Sequence, residues 1–141
     1  MTSDTRCRCA DLEAIRRLHS DYGRLLDARD AEGWAALFAP EGSWIGGEAY
    51  GVISGRAELA AFIRREFSAA PPCAHMLGNA AIMPSADGTW ATAWSRWLLL
   101  EQDGRGMRPA LCGSYADRLV RLPDGWRFER RDVTLDLPRQ A

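Results

Sequence analysis

"WATAWSRWLLLEQDGRGMRPALCGSYADRLVRLPDGWRFERRDVTL", residues 90–135, decides the fold. Aromatic, β-branched and aliphatic residues recur in three extended runs, at about residues 90–101, 109–122 and 126–135. The breaks between them, "QDGRG" and "LPDG", each hold Asp-Gly, a pair that accepts the positive φ of a tight hairpin turn. Three long strands joined this way make an antiparallel meander. A fourth run, 74–83, precedes it across "SADG".

The first half of the chain carries a different period. From Asp11 to about Arg29, Leu12, Ile15, Leu18, Tyr22, Leu25 and Leu26 follow the 3.6-residue repeat, with Asp11 expected as N-cap and Glu13 in the first turn. Asp30 is expected to cap a second helix over about 31–39, which buries Trp34, Leu37 and Phe38 and stops at Pro40-Glu41-Gly42. "SWIGGEAYGVIS", 43–54, reads as a short strand or two extended pieces broken by glycines. A third helix over about 55–69 places Leu59, Phe62, Ile63 and Phe67 together and ends at Ala69-Ala70-Pro71-Pro72. The order α-α-β-α-β-β-β-β predicts an α+β domain over residues 11–137, between a mobile segment 1–10 and a short tail 138–141.

Composition narrows the function classes. At 141 residues the chain is one domain, able to bury roughly 70% of its unfolded surface. A net charge of −1, with signs mixed even in "RREF" and "RFERRD", points to solvated faces and excludes a basic nucleic-acid or membrane surface. No apolar run reaches the roughly 20 residues of a membrane span. "MTSDTRCRCADLE" has no apolar core of a signal peptide, so a cytoplasmic location is expected, with Cys7, Cys9, Cys73 and Cys112 reduced. Cys7 and Cys9 lack a second cysteine pair. The two histidines, His19 and His75, lack ligand spacing, so no metal is expected. There is no phosphate loop, Rossmann glycine pattern or nucleophile elbow, and no cofactor is expected.

"PPCAHMLGNAAIM", 71–83, is awkward as plain core. His75 and Asn79 share a strand face with Leu77, Ala81 and Met83, as though that face lined a cavity. Asn79 would either hydrogen-bond a ligand or tie two strands. Of the six tryptophans, Trp90 and Trp94 share one face of their strand and Trp97 takes the other, a suitable wall for an apolar pocket.

"LHSDYGRLLDARDAEGWAALFAPEGSW", "VISGRAELAAF", "AHMLGN" and "GSYADRLVRLPDGWRFERRDV" in this order resemble the SnoaL-like branch of the NTF2-like superfamily, over about residues 12–135. The resemblance implies a cone, a curved antiparallel sheet wrapped around three helices with an apolar cavity, and a homodimer. In site pattern it is similar to the cofactor-free dehydratases of the scytalone and bile-acid kinds. Tyr22, Asp27 and His75 match their catalytic residues, Trp44 stands where they tend to have tyrosine, and Arg131, or its neighbour Arg130, matches a late arginine. One departure is visible: "SRWLLLE" puts Leu98 and Leu100 where a polar group is expected, with Ser95 or Arg96 as substitutes.

The chemistry follows from these residues. His75 would be the general base, its tautomer fixed by Asp27, while Tyr22 would donate to a substrate carbonyl. Trp44, Asn79, Arg96, Trp97 and Arg131 would contact substrate. On an unbroken helix Tyr22 and Asp27 lie about 140° apart, so the first helix must end near Asp27. Against this stands a structural reading, in which Asp27 and His75 are a buried pair, Tyr22 is core, and Asp117–Arg131 is a cross-strand salt bridge. His19 is expected to be structural or exposed. The resulting expectation is a cofactor-free enzyme taking a proton next to the carbonyl of a small hydrophobic compound, as a dehydratase, cyclase or isomerase. The alternatives are a non-catalytic ligand-binding or assembly module, or a small subunit of a ring-hydroxylating dioxygenase.

Overall fold

The computed structural model describes residues 8–139. In chain order the elements are α1 (Arg8–Asp27), α2 (Ala31–Ala35), β1 (Phe38–Ile45), α3 (Gly47–Tyr50), β2 (Val52–Ser54), α4 (Arg56–Phe67), β3 (Cys73–Pro84), β4 (Trp90–Asp103), β5 (Gly106–Leu122) and β6 (Gly125–Leu137). The strands form one six-stranded sheet in the order β2-β1-β6-β5-β4-β3. Every pair is antiparallel except β1 with β6. The fold is the expected curved-sheet α+β class, with α3 as an added single turn. No helix among the described residues is long and apolar enough to cross a membrane.

The helices pack where their apolar stripes point. Ile15, Leu18, Tyr22 and Leu26 of α1 are buried at helical spacing, and Leu59, Phe62 and Ile63 do the same for α4. Each such side chain contributes about 1.5–3 kcal/mol by leaving water. α1 lies against β3, and α4 against α2 and β1. An Arg64–Glu32 ion pair adds a surface link between α4 and α2.

Three local expectations are corrected. Asp11 is not an N-cap: α1 begins upstream of it, and Asp11 is buried, accepting the Trp126 indole N–H at 2.9 Å. The expected mobile segment is helical from Arg8; residues 1–7, with Cys7, lie outside the described residues. The second helix ends at Ala35, although Asp30 does cap it through Gly33 N–H at 2.9 Å. Phe38 instead starts a strand beside Phe128, whose N–H donates to Leu37 O, and Phe38 is fully buried there. Sheet pairing and burial outweigh the local helical period. Pro40-Glu41-Gly42 falls in the irregular stretch between Phe38 and Ser43 of β1.

The end of α1 departs from a regular helix stop. Arg29 is left-handed, φ 59°, with its N–H on Leu26 O and the Asp30 N–H on Leu25 O, both at 3.0 Å. This is a Schellman closure with an arginine in the place usually taken by glycine. The guanidinium offsets the backbone strain by donating to the carbonyls of Phe67, Ala70 and Pro71. Arg29 thereby joins the end of α1 to the end of α4 and to the Pro-Pro entry of β3.

Candidate active site

Between α1, α2, α4 and the concave face of the sheet lies a cavity of about 270 Å³. Its walls are apolar: Leu26, Trp34, Phe62, Ile63, Phe67, Trp97, Leu99 and Val133, with Trp44 and Tyr50 near α3. A dry cavity of about 150 Å³ holds benzene, so this one has room for two fused rings. The polar groups in its lining are few, chiefly Tyr22, Tyr115, His75 and Glu66.

His75 enters from near the start of β3, and only 8% of its side-chain surface is exposed. Its Nδ1 lies 2.7 Å from Asp27 Oδ1, and its backbone N–H donates to both oxygens of the same carboxylate at 3.0 and 2.9 Å. A carboxylate held this way accepts the Nδ1 proton and leaves Nε2 as the free acceptor. The closeness of helix and strand depends on Gly23, where a Cβ would meet Leu77 Cδ1 at 3.0 Å and His75 O at 3.2 Å. A glycine inside a helix costs about 1 kcal/mol, offset here by the close approach it allows.

Asp27, the last residue of α1, turns away from the cavity. It opens onto a separate outer cleft with Arg29, Phe67, Pro72 and Cys73. The His75–Asp27 pair is therefore a partition, with imidazole on the cavity side and carboxylate on the outer side. Cys73 Sγ stands 4.0 Å from Asp27 Oδ1, and burial, then the Asp27 charge, push its thiol up.

Tyr22 is the second polar feature. The Trp44 indole N–H donates to its hydroxyl oxygen at 3.0 Å, and the Tyr115 ring packs edge-on against the Tyr22 ring, 5.4 Å between centres. Burial pushes both phenols up, Tyr115 well above its ordinary value, against the opposing charge of Arg131. With its oxygen already accepting from Trp44, the Tyr22 hydroxyl keeps its proton to give.

Beneath Tyr22 lies an ionic cluster. Arg131 Nε and Nη2 donate to the Asp117 oxygens at 2.7 Å each, and both side chains are fully buried. The Arg131 guanidinium carbon sits 4.3, 3.9 and 4.1 Å from the ring centres of Tyr22, Tyr115 and Phe128. His19 joins through Nε2 to Asp117 Oδ2 at 3.1 Å and through Nδ1 to Ile15 O at 2.9 Å. Burial works against ionising Asp117, but Arg131's charge and hydrogen bonds, with those of His19, hold its carboxyl below the usual value.

The structure thus gathers Tyr22, Trp44, His75 and Trp97 around the cavity, with Asp27 behind His75. It places the other expected ligand contacts elsewhere. Asn79 is exposed at φ 54° in a bulge between Gly78 and Ala81. The extra residue shifts the strand's phase, so Met83 is exposed and Ile82 takes the inward side. Arg96 lies on the outer face, over Trp94 and 3.6 Å from Asp136. Arg131 sits under the cavity lining, committed to Asp117, and Arg130 is exposed beside Asp132. Trp90 and Trp94 are on the outer face too, leaving Trp34, Trp44 and Trp97 at the cavity. From β4 it is Trp97 and Leu99 that line the cavity, rather than Leu98 or Leu100, so this wall has no polar group in either case. His19 is buried, and its acid comes from 98 residues away.

Sequence reasoning missed Tyr115 and Glu66. Tyr115 could have been found by alternation along β5, where Gly113, Tyr115, Asp117 and Leu119 are the buried positions. It also missed the grouping of Asp27, Cys73 and His75, since ligand spacing along the chain says nothing about a helix end meeting a strand start.

An α+β cone whose helices and sheet enclose an apolar cavity, with a His–Asp pair in its wall, has the NTF2-like architecture. The chain belongs to the SnoaL-like domain family, whose profile matches residues 8–132. An uncharacterised protein of Mycobacterium tuberculosis is 32% identical over 130 residues, covering 89% of this chain and 85% of its own. An NTF2-like protein with a cystatin-like fold from Novosphingobium aromaticivorans is 29% identical, with TM-score 0.81 over 100% of this chain and 95% of that one. ActVI-ORFA from Streptomyces coelicolor is 26% identical, with TM-score 0.77 over 89% and 96% of the two chains.

Proposed function

We propose that the protein is a cofactor-independent enzyme that removes a proton next to the carbonyl of a flat, largely apolar cyclic compound, leading to dehydration, cyclisation or isomerisation. One observation carries this reading: the imidazole of His75 sits in the wall of an apolar cavity with Nδ1 bound to Asp27 at 2.7 Å. Asp27 is the positioning residue, since it fixes the tautomer and stabilises the imidazolium that forms. His75 Nε2 takes the proton. The Tyr22 hydroxyl, supported by the Trp44 indole N–H, donates to the carbonyl oxygen as negative charge builds there. The cavity volume, aromatic walls and family membership support a bicyclic or similar substrate.

The test uses a step common to all three reactions. In D₂O the protein should accelerate deuterium incorporation α to the carbonyl of 1-tetralone, followed by NMR. His75→Ala should slow that exchange by about 10²–10⁴-fold, the usual worth of a positioned general base. Asp27→Asn should slow it less, and circular dichroism should show both variants folded. Tetralone binding without exchange, or exchange untouched in folded His75→Ala, would sink the reading in favour of a binding module.

A further inference from the structure

We propose that Asp27, Cys73 and His75 form a binding site for a zinc-type divalent transition metal, entered from the outer cleft and not from the cavity. The three ligand atoms lie within 4.8 Å of one another, with Nδ1 to Oδ1 at 2.7 Å and Sγ to Oδ1 at 4.0 Å. Tetrahedral zinc, with bonds of about 2.0–2.3 Å, sets its ligand atoms about 3.3–3.6 Å apart. The imidazole and carboxylate must open by about half an ångström, and the thiol must close by about half an ångström on Asp27 and by up to about 1.3 Å on His75, a movement within reach of a Cys73 χ1 rotation.

Each ligand comes from a fixed element. Cys73 and His75 are two apart at the start of β3 and so share a face. Asp27 is held at the end of α1 by the Schellman closure and by the His75 backbone N–H. A thiolate, an imidazole and one carboxylate suit zinc or cobalt, whereas magnesium and calcium prefer oxygen alone. The cleft outside, about 320 Å³ and lined by Asp27 and Cys73, gives an ion its path and a water its place as fourth ligand. Glu101, opposite Cys73 across β3 and β4, adds negative charge. Arg29 is the opposing cation, and its guanidinium is turned to the carbonyls of Phe67, Ala70 and Pro71.

Binding replaces the Cys73 S–H proton, which leaves to solvent, and moves the imidazole proton from Nδ1 to Nε2. Nε2 is the atom the proposed function needs as acceptor. This consequence rests on that reading: where His75 is the base, metal in the outer cleft switches it off without entering the cavity.

The experiment reads metal uptake alone. Full-length protein carrying Cys7→Ser, Cys9→Ser and Cys112→Ser, with Cys73 as its remaining thiol, is titrated with Co²⁺. One equivalent should bind with the visible bands of tetrahedral cobalt and a thiolate-to-cobalt charge-transfer absorption, and Zn²⁺ should displace it. Adding Cys73→Ser should abolish the charge-transfer band and weaken binding at least tenfold; Asp27→Asn and His75→Ala should also weaken it. Cys73→Ala serves as a second thiol-free variant, with a thermal melt to check that each protein is folded. No cobalt uptake by the folded Cys73-only protein, or a band unchanged in folded Cys73→Ser and Cys73→Ala, would overturn the site. Because the readout is uptake, its failure is distinct from failure of the tetralone exchange.

Discussion

Asp117→Asn removes one charge from a cluster buried away from solvent. Arg131 is 0% exposed and remains a cation, because a guanidinium does not deprotonate in proteins. The asparagine keeps one acceptor oxygen, but its amide turns two hydrogens toward Arg131 or His19, which are themselves donors there. Breaking a buried pair by removing one partner costs about 3–5 kcal/mol. Three aromatic faces around the guanidinium persist in the variant and soften the loss, which favours the lower part of that range. Unfolding entropy of about 2.1 cal/mol/K per residue over 141 residues makes about 0.3 kcal/mol/K. A loss of 3–4 kcal/mol then lowers Tm by about 10–13 °C.

The assay is a thermal melt by circular dichroism, repeated across pH. In the native protein Asp117 lies below its ordinary value of 3.8, because Arg131 and His19 outweigh the effect of burial. A depressed carboxyl contributes stability that is complete above the unfolded value and is lost as pH falls through the folded one. Wild-type Tm should therefore drop below about pH 4, with Asp117→Asn showing a flatter acid limb. Pairing Arg131→Met with Asp117→Leu removes both charges and should recover most of the stability, less about 1 kcal/mol for the acceptor lost by His19. A single variant within about 1 kcal/mol of wild type, or a double variant as unstable as the single, would refute the reasoning.

Other elements give further expected outcomes. Arg29→Ala keeps the left-handed strain and loses the three carbonyl contacts, so Tm should fall and imidazole NMR should show a weaker His75–Asp27 contact; Arg29→Gly should recover about 1 kcal/mol of the loss. Burial holds Tyr22 and Tyr115 above the ordinary 10.0, so their neutral forms contribute stability that is intact below pH 10 and lost above it. Melts should weaken progressively as pH rises above 10, and less so in Tyr115→Phe. Asn79→Gly should match wild type in stability and in tetralone binding, while Asn79→Ala should cost about 1 kcal/mol through its positive φ; a large binding defect in either would place Asn79 at the ligand.

The strongly periodic parts were legible from sequence. The α1 stripe, the α4 stripe and the meander with its Asp-Gly turns each announce themselves over ten or more residues. What escaped is what depends on partners distant in sequence or on a single irregular residue. Phe38 becomes a strand because Phe128 is waiting 90 residues on, and Asp11 becomes an acceptor because Trp126 packs above it. A count of two per strand repeat puts Asn79 on the His75 face, and one bulge residue undoes that count. The Arg131–Asp117 bridge is legible as a cross-strand pair, and what escapes is its third member, His19, whose carboxylate partner lies 98 residues away.

The position of His75 shows how such irregularities make a site. Regular elements alone would put an α-helix about 10 Å from a strand, too far for a short carboxylate to reach both the backbone and the ring of one residue. Gly23 removes the side chain that would keep α1 away from β3. Arg29, two residues beyond the end of α1, then closes the helix and binds the carbonyls of the Ala70-Pro71 entry to β3. Together these bring Asp27 onto the His75 N–H and Nδ1 at once. A regular cap at residue 29 would need no arginine and a regular helix would carry alanine at 23, so each departure costs stability locally. Both departures converge on the same carboxylate, and that convergence sets the His75–Asp27 geometry apart from an incidental ion pair.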